Sequence, residues 1–262
     1  MRTKYRMTDE TIEISGSTLH RVEALIDIPY ANVKAGDKGG FIESEENLSQ
    51  EGDCWVSGNA QVSGNARVAW HAFIRDDAMV SGNAEVTGKA WVSGKAWVSG
   101  NAHVYGNAQV FNNARVHGNA LVYGNAQVYE NARVSEYAVV FEYAIVSGEA
   151  WTGGTAKVHG NAWVTDSTKV YEDAEVYENA EVHDNANVCG HAWVTGNAQV
   201  SGHAWVIDNA KVFGNAKVSG NAKVYGSARV SGDAKVSGST VVSGDAKVPG
   251  NAKSTVKAKG RV

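Results

Sequence analysis

An aliphatic residue or threonine recurs at every sixth position from Val56 to Val248, and a small residue precedes it by two. Across residues 56–253 this makes 33 hexads without insertion or deletion. Counting from Val56, the first position is Val except at Ile74 and Thr152, and the fifth is Ala except at Thr168 and Thr240. A period of six fits neither an α-helix nor a coiled coil. It does fit a short strand followed by a corner. In an Ala-x-Val strand the two apolar residues share one face, and positions six and two share the other. The Gly-Asn that follows bends the chain, because both residues tolerate positive φ. The pattern predicts an all-β fold, a single-stranded parallel β-solenoid whose coils stack about 4.8 Å apart. Asn side chains at equivalent corners would stack as ladders. A lone hexad cannot bury its valine, so stacking is obligatory.

Charge spacing selects the number of hexads per coil. Asp or Glu replaces the corner glycine at nine positions, from Asp76 to Asp208. With two hexads per coil, three pairs of these carboxylates would stack; with three, only Asp166 and Asp184 would. Like charges on neighbouring strands repel, which favours a three-sided coil, and 33 hexads then make about 11 regular coils.

The first 55 residues follow another pattern. "TIEISGSTLHRVEALIDI" alternates as a β-hairpin with Ser15-Gly16 at its turn. Counting hexads backwards puts Ile42, Leu48 and Cys54 at the alanine position and Gly40 and Gly52 at the glycine position. The expected organisation is a hairpin cap over residues 1–37, a degenerate capping coil over 38–55, the solenoid over 56–253 and a basic tail over 254–262. A solenoid end exposes an unpaired strand edge, so a cap is needed.

The hexads resemble the hexapeptide-repeat, left-handed β-helix superfamily, with its aliphatic-x-x-x-small-x pattern. That resemblance implies three hexads per coil, a triangular prism, left-handed coiling and trimerisation through flat sides. The entry segment is similar to that of YdcK-type proteins of enteric bacteria, in Lys34-Ala35-Gly36, Gly39-Gly40, Asn47-Leu48-Ser49-Gln50 and Gly52-Asp53-Cys54-Trp55. Those proteins are grouped with hexapeptide acyltransferases, so the resemblance implies, as one reading, acyl-CoA-dependent transfer at sites between subunits.

Residue chemistry favours a different reading. Acyltransferases of this class carry an interrupting loop beside a catalytic histidine, and nothing interrupts these hexads. The histidines of the repeat fall on positions two, four and six, and none adjoins a Ser or Cys nucleophile with an orienting carboxylate. They read as exposed decoration, and no catalytic, cofactor or metal residue is assigned. Cys54 and Cys189 lack disulfide-framework or zinc spacing, and Cys54 is expected to be a small buried residue. Gly-Asn phrases are not phosphate loops. A Val/Ala interior leaves no ligand cavity, so function must lie outside.

Two outer features stand out. Trp55, Phe73 and Trp91 fall on one outward column, and Tyr105, Tyr123, Phe141 and Tyr177 on another. Strand propensity accounts for outward aromatics; so does an apolar contact surface for self-association. Charge is also uneven. The net charge of -4 hides a C-terminal section in which Lys211, Lys217, Lys223, Arg229, Lys235, Lys247 and Lys253 all occupy outward position six. They could discourage edge aggregation, attract the acidic N-terminal section end to end, or bind an anionic surface or nucleic acid. No 18-residue apolar run is present and "MRTKYRMTDE" lacks a signal-peptide core, so no membrane span and a cytoplasmic location are expected. The expectation is a structural or interaction rod acting through its outer faces.

Overall fold

In the computed structural model, the hexads form two-residue strands, such as Trp91–Val92, each followed by a corner; the strand at Val241–Ser243 has three residues. The structure describes residues 3–250 and the backbone of 253–254 and 258–259. The side chain of Lys253 and the side chains of the basic tail over 254–262, Lys257, Lys259 and Arg261 among them, lie outside the described residues. The chain divides into two compact units, Met1–Glu130 and Asn131–Val262.

The first unit begins with β1 (Tyr5–Ile14) and β2 (Ser17–Ala24), an antiparallel hairpin turning at Ser15-Gly16. β3 (Lys38–Ile42) pairs antiparallel with β2 and parallel with Gln61–Val62. Three parallel sheets then develop. Trp55, Phe73, Trp91, Gln109 and Gln127 are successive partners in one of them. In the second unit, Val139, Lys157, Glu175, Trp193, Lys211, Arg229 and Lys247 form one such column. Each step spans 18 residues, so both units are three-sided parallel β-solenoids.

Valine and alanine fill the interior of each unit. From Val56 to Val242 every first- and fifth-position side chain is buried. Thr152 and Thr168 replace Val and Ala inside the second unit at 0% exposure, and neither Oγ1 has a hydrogen-bond partner among the described residues. An orphaned buried hydroxyl is costly, and an apolar isostere removes the cost. Thr152→Val is therefore expected to stabilise the protein by about 1–2 kcal/mol in urea unfolding; a loss of stability would show that the hydroxyl is satisfied.

The cap departs from simple hexad counting. Phe41 and Ile42 pair with Gln61 and Val62, and Leu48 bridges Val68. Ile42 and Leu48 thus take the valine position, not the alanine position. The corner between Leu48 and Cys54 absorbs the difference: Ser49 N–H donates to the Val68 carbonyl, whereas Trp55 N–H already reaches Ala72. Gln50, in that longer corner, accepts from Lys4 N–H at 2.8 Å and so ties β1 to the coil. Gly40 lies within β3 and not at a corner, and it is glycine for close packing, since a Cβ there would come 2.5 Å from the Ala60 carbonyl oxygen. Gly52 keeps the corner conformation, with φ +71°. Lys4, itself buried, donates from Nζ to the carbonyls of Gly52 and Cys54.

Corner side chains knit coil to coil. Asn65, Asn83, Asn101 and Asn119 form an amide ladder in the first unit, and Asn161, Asn179, Asn197 and Asn215 form one in the second. The corner carboxylates have a separate role. Asp76 accepts from Gly94 N–H, Glu142 from Gly160 N–H and Glu178 from Gly196 N–H, each one coil further on. These residues sit near φ +60°. That conformation disfavours a side chain, and the hydrogen bond to an otherwise open amide offsets the strain.

Candidate functional site

With the interior filled, the outward positions carry the chemistry. Residues at position two follow each buried valine and stack on their counterparts one coil away. Tyr105 and Tyr123 stack in the first unit with ring centroids 4.8 Å apart and planes 5° apart. Phe111 and Tyr129 do the same on a neighbouring side, also at 4.8 Å. In the second unit Phe141, His159 and Tyr177 form a continuous stack, with centroid steps of 4.5 and 5.1 Å. The solenoid's own pitch sets this spacing, which is suited to offset aromatic contact.

Of the residues expected on the contact surface, Trp91 and Tyr105 are exposed. Phe73, Tyr123, Phe141 and Tyr177 are half-buried. Trp55 is not on the surface. It is 1% exposed, edge-on to Tyr5 and under the hairpin cap. Hexad phase places Trp55 correctly on an outward column, but the cap covers that end of the column. Trp91 tilts against Phe73 and carries the Arg75 guanidinium over its face.

The basic positions fall in register. Lys217 pairs with Lys235, and Lys211 with Arg229 and then Lys247. Lys217, Lys223, Arg229, Lys235 and Lys247 are exposed. Lys211 is half-buried, with Nζ 3.6 Å from the Trp193 ring centroid. Such columns set like charges side by side.

The thiols are poorly suited to nucleophilic chemistry. Burial pushes the Cys54 thiol up despite Lys4 Nζ at 3.2 Å from its sulfur. Burial likewise raises that of Cys189, against a hydrogen bond with Tyr171. That same hydrogen bond, followed by burial, pushes the Tyr171 phenol up to about 12. The protonated thiol is a weak nucleophile. His159 lies between two aromatic rings with Nε2 3.0 Å from Glu175, an arrangement that holds the imidazole flat in the stack. Asp166, His183 and Asp184 bring three potential metal donors within 4.8 Å of one another. One oxygen of each carboxylate is engaged by the backbone amide one coil on, at Asp184 and Gly202. The Gly202 amide is the main reason the Asp184 carboxyl lies below its usual range.

Residues 60–75, 108–124, 114–130, 126–142 and 228–244 match the model of the YdcK β-solenoid repeat. Over these segments the chain is similar to the YdcK β-solenoid repeat. The matches fall in both units, on hexads with the buried Val/Ala pair. No curated protein matches the chain. Among the described residues, no helix is long and apolar enough to cross a membrane.

Proposed function

We propose that the chain is a non-catalytic scaffold that binds through its outer sides and self-associates through its aromatic columns. The observation that carries this reading is the alignment of half-exposed rings along single sides, Tyr105 with Tyr123 in one unit and Phe141 with Tyr177 in the other. Aligned apolar rings on an outer face favour a complementary surface. The filled interior and protonated thiols support the absence of catalysis.

Sedimentation equilibrium at low and high salt tests the proposal. Association through rings is expected to persist at about 1 M salt, where the Debye length is near 3 Å. Tyr105→Ser with Tyr177→Ser is expected to weaken it about ten-fold or more, since buried aromatics dominate such contacts. A strictly monomeric protein at high concentration would refute self-association, and tight coenzyme A binding would refute the non-catalytic reading in favour of acyl transfer.

The in-register columns of Lys211, Arg229 and Lys247, and of Lys217 and Lys235, favour a second reading, in which this section binds an anionic surface or nucleic acid. Retention on heparin that falls steeply with salt supports it; no retention at low salt removes it.

A further inference from the structure

The aromatic column of the second unit is interrupted. Its position-two residues run Phe141, His159, Tyr177, Thr195, Phe213. The first three stack ring on ring at 4.5–5.1 Å. Thr195 then places a small side chain where the next ring would lie. Phe213, one coil further, is exposed and has no ring partner among the described residues. Two coil steps separate Tyr177 from Phe213, about 9.6 Å of backbone. That distance accommodates one further flat ring at the spacing the column uses between its own members.

An open cavity of about 420 Å³ occupies this place, with Tyr177, Glu178, Trp193, Thr195, Lys211 and Phe213 among its lining residues. Trp193 forms a side wall edge-on to Tyr177, its ring centroid 6.4 Å away. Lys211 lies over Trp193, and Arg229 follows it in the next coil. The Glu178 carboxylate is occupied: one oxygen accepts from Thr195 Oγ1 at 2.9 Å and from Gly196 N–H at 2.7 Å. Glu178 keeps its single negative charge beside the slot, and Lys211 with Arg229 in the next coil sets two cations against it.

We propose that this gap is a binding slot for a flat aromatic ring bearing an anionic group. The ring inserts between Tyr177 and Phe213 above Thr195, and the anion turns toward Lys211 and Arg229. The shared chemistry belongs to aromatic carboxylates and to nucleotides alike. Binding is a property of one chain, so it does not depend on self-association.

Calorimetric titration of the full chain at low salt tests the slot, with 2-naphthoate and adenosine monophosphate as the two anionic aromatic probes. At least one is expected to saturate one site per chain, and the tighter of the two assigns the ligand as a plain aromatic acid or a nucleotide. Cyclohexanecarboxylate, an anion without an aromatic ring, is expected to bind about ten-fold or more weakly than 2-naphthoate, the size of effect one stacked ring supplies. Thr195→Tyr completes the column and is expected to abolish binding with circular dichroism unchanged. Phe213→Ala removes one jaw and should weaken binding even where Thr195→Tyr fails to fold. Lys211→Met is expected to erase the preference for 2-naphthoate over the neutral 2-naphthalenemethanol. The proposal is overturned if neither probe saturates at millimolar concentration, if cyclohexanecarboxylate matches 2-naphthoate, or if Thr195→Tyr or Phe213→Ala binds like the parent.

Discussion

A chain lacking residues 1–55 is expected to give aggregated or heterogeneous material in place of a single folded species. The first regular coil receives its partners from the cap. Phe41 and Ile42 pair with Gln61 and Val62. Asn47 Nδ2 donates to the carbonyls of Gly64 and Ala66, and the Glu43 carboxylate accepts from Gly64 N–H. Leu48, Trp55 and Tyr5 are buried at this end. Each such side chain contributes about 1.5–3 kcal/mol when withdrawn from water. Without the cap, unpaired strand edges face solvent and invite pairing with another chain. The coils behind them are nearly identical, so nothing local forbids pairing one hexad out of phase. Size-exclusion chromatography with light scattering reads the outcome; one sharp species with parental circular dichroism would show that the repeats set their own register.

Gly40→Val is expected to destabilise the protein by about 2–4 kcal/mol, an overpacking cost at the upper end of the usual range. A Cβ on Gly40 would lie 2.5 Å from the Ala60 carbonyl oxygen and 2.7 Å from Val56 Cγ1. Neither neighbour can retreat cheaply: the Ala60 carbonyl accepts from Phe41 N–H at 2.8 Å, and Val56 is fully buried. The substitution therefore separates β3 from the first coil. Gly16→Ala is the contrast. Nothing lies within 4 Å of a Cβ there, and its φ of +87° leaves a backbone cost alone, about 1–2 kcal/mol. Denaturant midpoints measure both; equal losses would mean that the crowding at Gly40 relaxes without effect.

Most of the fold was legible because one period governs interior, corner and face at once. Val and Ala at fixed phase gave the strands, and the spacing of corner carboxylates gave three sides per coil. Legibility failed where the period breaks. Backward counting assumed constant phase through residues 38–55 and could not see that the corner after Leu48 is longer, which moves Ile42 and Leu48 to the valine position. Hexad phase puts Trp55 on the right column, but its burial depends on a hairpin folding over it, a tertiary event. As charges alone, the corner carboxylates need only be kept apart. Their contact with the next coil's amide had a signal: Asp76, Glu142 and Glu178 are each followed 18 residues later by Gly94, Gly160 and Gly196. The slot at Thr195 becomes visible in the same way, once residues 18 apart are read as neighbours.

The constant return of 18 residues separates two kinds of copying error in the gene. Duplicating three hexads would extend the protein while leaving each asparagine, ring and carboxylate above its former partner. Duplicating a single hexad would leave the Val/Ala centre equally well filled, yet turn every later outer residue onto the next side. The interior is blind to the difference between these events, so the ladders on the outside are where a history of growth by whole turns would be written.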